Sequence, residues 1–288
     1  MRYRILWTLP LIAWLYAGSF ARLFAQWIHD PNFSHGIFVP AFALFVLWRE
    51  RKKLRAIEPA PSWAGLPLVM LGLLALFLGV RGVDLFLPRV SLLIVLAGLI
   101  ILFQGLPFFR AVLFPWAFLI LMIPIPSIIL QYLTHPLQLL ASQFATGLLG
   151  IVGVPAMRQG NVVVLPSTLL YVTEVDSGIR SLLSLVTLAI MYGYLMEKRN
   201  WVRVLLACSA VPIAVVASSL RIVGTGLMVQ YWDPGTGEGF FHVFQGWLIF
   251  LLSMIMLFVL HRLIIFIGKT RPKSEVTPLH QTEPSRNS

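Results

Sequence analysis

Apolar stretches long enough to cross a bilayer recur along almost the whole chain, and this constrains the fold more than any other feature. A hydrocarbon layer about 30 Å thick takes roughly 20 residues of helix. Lipid offers no hydrogen-bond partner to an exposed backbone, so only helices or closed barrels cross it. The stretches are read as eight helical spans, at roughly 5–27, 33–48, 63–80, 88–105, 108–127, 178–196, 202–229 and 242–268. The second is short. With 58% hydrophobic residues and a mean hydropathy of +0.86, a soluble domain is excluded. The expected fold is all-α: a polytopic membrane helix bundle with both termini cytoplasmic. Residues 1–268 form one integral-membrane domain, and 269–288, polar and Pro-containing, form a disordered cytoplasmic tail. The first run, Ile5 to Trp27, is read as a span and not as a cleaved signal peptide, because no small-residue cleavage site follows it.

The formal charge of +11 does not point to nucleic acid. The basic residues lie in short clusters beside apolar runs, as the positive-inside rule requires. Arg2 and Arg4, the stretch WRERKKLR (Trp48 to Arg55), Arg110, EKRNWVR (Glu197 to Arg203), and Arg262, Lys269, Arg271 and Lys273 all fall on one side if both termini are cytoplasmic. The other side then holds HDPNFSH, RGVDLFLPR, residues 128–177 and QYWDPGTGEGF. The expected partner of the basic side is the lipid bilayer and its anionic headgroups. The lone cysteine, Cys208, lies inside an apolar run, so no disulfide within the chain forms.

Two segments depart from the spanning pattern. In 128–150, Gln131, His135, Gln138, Ser142 and Thr146 recur at helical spacing and draw a polar stripe. A helix lying at the outer interface fits this stripe. A ninth span is the alternative, but it would move EKRNWVR to the outer side. Residues 154–175 are rich in Val and Thr and are punctuated by Gly160 and Pro166. They read as a short extended or hairpin segment on the outer face.

Polar groups at membrane depth are expensive, so each needs a partner or a task. Asp176 opens span six, Arg221 lies toward the outer end of span seven, and His242 opens span eight. The charge-based topology puts all three near one boundary. Asp176 alone also fits an N-cap, or a partner for Arg180 one turn later. His242 alone also fits an ordinary interfacial histidine. Arg221 is harder to reduce to structure, since its own span carries no carboxylate near it. Ser177 as a nucleophile with His242 as its base lacks the strand-turn-helix context of a hydrolase elbow. The histidines show no metal-ligand spacing, and GTGEG is too small for a nucleotide loop, so no metal or cofactor is expected.

Together these motifs resemble the exosortase/archaeosortase family of integral-membrane transpeptidases. DPNFSHGIFVP (Asp30 to Pro40) is similar to the family's first-loop signature. MIPIP (Met122 to Pro126) and RQGNVVVLP are similar to its middle region. EVDSGIRSLLSL, SSLRIVGTG and FHVFQGW are similar to its three active-site blocks. The resemblance implies a cysteine before Ser-Gly-Ile-Arg that attacks a peptide bond, assisted by an arginine and a histidine. Here Arg221 and His242 match, but Asp176 stands at the cysteine position and Ser218 stands where the family has Asn. By the same resemblance, Glu174, Ser177, Gly178, Arg180, Ser218 and His35 are expected to bind substrate or support the site.

The function implied is protein sorting in a bacterial inner membrane, with the site facing the periplasm or outside. The substrates would be exported proteins ending in a short motif, a transmembrane helix and a basic end. A thiolate forms an acyl-enzyme that an amine resolves, whereas a carboxylate is a poor nucleophile toward an amide. The simplest physical outcome of the exchange is an Asp176–Arg221 ion pair. Two other classes follow from the same residues: a non-catalytic binder of sorting signals or accessory to exopolysaccharide export, and a small-solute transporter with a polar cluster in its bundle.

Overall fold

The computed structural model describes residues 3–30, 32–82, 85–166, 169–171, 179–231 and 240–269; at some helix ends, 179–180 and 240–245 among them, only the backbone is described. The tail beyond 269 lies outside these residues. The described chain is helical apart from one small sheet. In order, α1 (Tyr3–Leu15), α2 (Ala17–His29), a 3₁₀ turn (Ser34–Ile37), α3 (Phe38–Arg49) and α4 (Arg51–Ala56) form the first part. Next come α5 (Gly65–Arg81), α6 (Phe86–Gln104), α7 (Leu106–Ala111), α8 (Leu113–Phe118) and a second 3₁₀ turn (Leu119–Met122). Then follow α9 (Ser127–Ile151), strands β1 (Met157–Gln159), β2 (Val162–Val164) and β3 (Leu169–Tyr171), α10 (Ile179–Met196), α11 (Asn200–Tyr231) and α12 (Phe240–Lys269).

Three described helices are long and apolar enough to cross a membrane: α6, α11 and the Gly246–Ile267 part of α12. A fourth span results if the bent pair Leu113–Met122 and Ser127–Ile151 counts as one. The segments Ser34–Arg49, Gly65–Arg81 and Ser181–Met196 are apolar but shorter. The chain is therefore an all-α membrane protein, with three to four helices of full spanning length among the described residues. The expected first span is divided at Tyr16, and α2 beyond it carries Arg22, Gln26 and His29. Large apolar side chains such as Trp14, Leu44, Phe77, Leu251 and Phe266 stand exposed on the helices. Lipid contact makes such exposure stable where water would not.

The expected span 108–127 differs most from its sequence reading. It is broken into α7, α8 and a 3₁₀ turn, and α9 then leaves at 86°. The cause is local. Proline has no N–H, and the residue before it disfavours helical backbone. The run Ile123-Pro124-Ile125-Pro126 therefore ends one helix and starts another. A helix that stops in lipid leaves carbonyls without partners. Trp27 meets one of them, donating from Nε1 to the Met122 carbonyl at 3.0 Å. The same indole lies against Gly36, where any Cβ would collide with it. So the first-loop stretch and the MIPIP stretch are held together through one tryptophan.

The polar stripe of α9 is present but does not face one medium. Gln131 and His135 are exposed, whereas Gln138 and Ser142 are buried. Ser142 Oγ donates to the Gly160 carbonyl at 3.1 Å, in the turn between β1 and β2. The extended segment has formed as a three-stranded antiparallel sheet in the order β1-β2-β3. Gly160 has φ +64° in the tight turn, a conformation that favours glycine. The sheet, the second half of α9 and the last turns of α11 share a small core that includes Ala145, Leu149, Val163, Ile222 and Val223.

The helix pair α5 and α6 depends on close backbone approach. A Cβ on Gly98 would stand 2.7 Å from the Val69 nitrogen, while one on Gly147 would meet nothing within 4 Å. Overfilling a packed contact costs about 1–3 kcal/mol. Gly98→Val should therefore lower the thermal midpoint of the purified protein, and Gly147→Ala should not lower it.

Candidate active site

The residues singled out in sequence lie on four elements. His35 is in the first 3₁₀ turn, Arg180 in the first turn of α10, Ser218 and Arg221 in α11, and His242 in the first turn of α12. Glu174, Asp176, Ser177 and Gly178 lie outside the described residues, as do the side chains of Arg180 and His242. The geometry that follows is that of the helices which carry or adjoin them.

α10, α11 and α12 pack on one another, with Leu185, Ala189, Leu206, Ala210, Ile213 and Leu257 in their common core. At one end, polar contacts set a shared level. Arg203 Nε donates to the Glu197 carbonyl at 2.8 Å, and His261 Nε2 stands 3.8 Å from Glu197 Oε2. Counting away from that level takes 18 residues from Glu197 to Ile179, 18 from Arg203 to Arg221, and 19 from His261 to His242. At a rise of about 1.5 Å per residue these are all close to 27–29 Å. The three blocks thus end up at nearly one height, at the end of the bundle remote from the EKRNWVR cluster. That separation is about one hydrocarbon thickness.

Arg221 is 8% exposed, with the buried side chains of Ile222 and Val223 next to it. Its surroundings follow from the length of α11. The helix has 32 residues, about 48 Å at helical rise, which exceeds what a bilayer core needs. The surplus at its far end is what α9 and the sheet cover. Arg221 sits where the membrane-length part of α11 meets that cover. Burying a guanidinium is tolerated only when acceptors or an anion satisfy it. The neighbouring hydroxyls are committed to their own helix. Ser218 Oγ donates to the Ala214 carbonyl at 2.7 Å, Ser219 Oγ to that of Val215 at 2.8 Å, and Thr225 Oγ1 to that of Arg221 at 3.0 Å. Ser218 therefore keeps acceptor capacity alone toward a neighbour.

His35 is also buried, at 9% exposure. The turn that carries it touches α2, α3, α10 and the second 3₁₀ turn. Its height can be counted in the same way. Tyr194 donates its hydroxyl to Glu50 Oε1 at 3.1 Å near the basic end. From Glu50 back to His35 is 15 residues, about 24 Å through α3 and its 3₁₀ turn. His35 thus stands toward the same far end as Arg221.

Sequence reasoning passed over two polar groupings. Arg89 and Ser91, at the start of α6, are buried, and Ser91 bonds Tyr16 at 3.0 Å. A small cavity lies beside them, lined by Tyr16, Ser19, Arg89 and Met122. The second is Tyr192, Glu197 and His261 at the basic end. A histidine placed within an otherwise apolar last run was its visible signal. Among the described residues no cluster of His, Cys, Asp or Glu has metal-binding geometry.

A fold of apolar helices of spanning length, with large apolar side chains exposed on them, defines an integral-membrane protein. The transmembrane exosortase family model (Exosortase_EpsH) matches residues 27–259, and the chain belongs to that family. No curated protein and no solved structure gave a significant match.

Cys208 is exposed on α11, 13 residues or about 20 Å from Arg221. Cys208→Ser should leave the thermal midpoint and any processing activity unchanged. A loss of processing in that variant, read by gel shift, would reassign the site.

Proposed function

We propose that this exosortase is a protein-sorting membrane peptidase or transpeptidase, with its site at the outer boundary of a bacterial inner membrane. Its substrates are exported proteins with a C-terminal motif, a transmembrane helix and a basic end. The observation that carries the reading is the common height reached by the starts of α10 and α12 and by Arg221, about one hydrocarbon thickness from the basic end. A scissile bond just outside a transmembrane helix arrives at that height once the helix lies beside the bundle. Asp176 occupies the nucleophile position, Arg221 serves as proton donor or oxyanion partner, and His242 acts as base or stabiliser. His35, Glu174, Ser177, Gly178, Arg180 and Ser218 support the site.

The acid sets the chemistry. Attack by the Asp176 carboxylate on an amide would give a mixed anhydride, which water opens readily, so hydrolysis would replace transfer to an amine. Pairing with Arg221 would hold the carboxylate ionised and occupied, which disfavours both general-base and nucleophilic roles. The exchange of Cys for Asp thus favours a second reading, a scaffold that binds sorting signals without cutting them. The retained Arg221 and His242 favour the first.

The deciding experiment is cleavage of a tail-bearing substrate in cells, followed by gel shift, for this chain and for Asp176→Cys. Processing by the cysteine version alone means an intact scaffold silenced at one residue. Processing by both means a hydrolytic route through the acid. Processing by neither, with both proteins folded and a cognate substrate confirmed, overturns the peptidase reading in favour of binding. In the Asp176→Cys background, Arg221→Ala should reduce processing by about 100-fold. In the parent chain, the proposed Asp176–Arg221 pairing predicts that the same change leaves the carboxylate without its partner and lowers the thermal midpoint. An unchanged midpoint would refute the pairing of Asp176 with Arg221.

A further inference from the structure

The strongest polar construction among the fully described side chains lies at the opposite end from the proposed site. His261, on α12, is 4% exposed. Its Nδ1 stands 2.7 Å from the Tyr192 hydroxyl on α10. The Tyr192 ring meets the imidazole edge to face, with centroids 5.1 Å apart, and Phe258 packs on the same ring at 4.9 Å. On its other side, His261 Nε2 faces Glu197 Oε2 at 3.8 Å and makes no hydrogen bond. So one nitrogen is tightly engaged and the other is buried, near a carboxylate, just beyond bonding distance. A buried polar atom in this condition calls for a physical account.

Glu197 is itself fixed. Its Oε1 accepts from the backbone N–H groups of Lys198 at 2.7 Å and Arg199 at 3.1 Å. These bonds, that of Arg199 foremost, hold its carboxyl below the usual carboxylate range, against a smaller opposing effect of burial. A lowered carboxylate stays ionised as pH falls toward its ordinary value, so Glu197 keeps its charge from neutral to mildly acidic conditions. Arg203 on α11 braces the same turn, with Nε on the Glu197 carbonyl and its guanidinium 5.1 Å over the Tyr194 ring. Arg262, next to His261 on α12, and Lys198 and Arg199 in the turn are the other charges around the histidine; on α10, Tyr194 carries the hydroxyl that reaches Glu50.

We propose that Tyr192, Glu197 and His261 form a positioning pin that sets the height of α12 against α10 and α11. When His261 is neutral, the gap to Glu197 stays open. When it takes up a proton, both ring nitrogens donate: Nδ1–H to the Tyr192 hydroxyl and Nε2–H to Glu197. The second bond is charge-assisted, shorter than the present 3.8 Å separation. Closing the gap moves α12 relative to the α10–α11 turn. Helices transmit such shifts along their axes, so the height of His242 relative to α10 and Arg221 changes with it. The pin is a set of positioning residues, since none of them lies near the proposed reacting groups. Its effect on processing rests on the function proposed above, but its effect on helix position does not.

The test therefore uses no substrate. Spin labels are placed at Val216 and Gly246, through Val216→Cys and Gly246→Cys in a Cys208→Ser chain in nanodiscs. Val216 is exposed, and a Cβ on Gly246 meets nothing within 4 Å. The pulsed-EPR distance should shift by about 1–2 Å between neutral and mildly acidic buffer. The shift should vanish in His261→Gln and in Glu197→Gln. A distance unchanged with pH in the parent, or a shift that persists in both variants, overturns the proposal. Should His261→Gln fail to fold, Glu197→Gln decides, because it leaves the histidine and its Tyr192 contact in place. Processing that fails while the pH-dependent shift is present would count against the peptidase reading and leave the pin standing.

Discussion

Lipid supplies no hydrogen bonds, and most of this structure follows from where the chain meets that demand. A regular helix meets it internally. The exceptions are the informative places. At Ile123–Pro126 the helix stops, and the Trp27 indole reaches 95 residues across the sequence to take the Met122 carbonyl. At Gly36 the chain gives up a side chain so that the same indole can lie close against it. On α11 the serines and threonine near Arg221 fold their hydroxyls back onto helix carbonyls. Among the described residues, a set of polar side chains gathers at the basic end, and Arg221 and His35 lie toward the other.

Those ends do different things. At the basic end, the Tyr194–Glu50, Arg203–Glu197 and Tyr192–His261 hydrogen bonds tie α3, α10, α11 and α12 together. At the far end, Arg221 and His35 are buried. Helices fixed at one level rise about the same distance to the other, because helical rise is constant. The relative heights of residues near Ile179, Arg221 and His242 are therefore set from a level some 27 Å away. The family model spans all three of these blocks, and the helix lengths bring them to nearly one height.

The sequence was most legible where one physical rule dominates. Apolar length located α5, α6, α10, α11 and α12, and the Val/Thr-rich stretch with Gly160 foretold the sheet. Arg221 stood out because an arginine within an apolar run has no inexpensive place to go, and the structure buries it. Legibility failed where two rules compete. Hydropathy argued for a span over 108–127, but the backbone restrictions of Pro124 and Pro126 prevailed and turned the chain by 86°. On α9 the stripe was read correctly as polar, but burial of Gln138 and Ser142 depends on a sheet that lies later in the chain. The Tyr192–Glu197–His261 group was missed because Tyr192 and His261 are 69 residues apart and meet only through helix packing.

The central claim is that the start of α10 and the start of α12 converge beside Arg221 at one boundary of the membrane. A paired-cysteine experiment tests it directly. In a Cys208→Ser chain carrying Asp176→Cys and His242→Cys, a membrane-impermeant reagent should label both positions from the outer side, and a short bifunctional thiol reagent should join them. Labelling from opposite sides, or no cross-link between two accessible cysteines, would contradict the account.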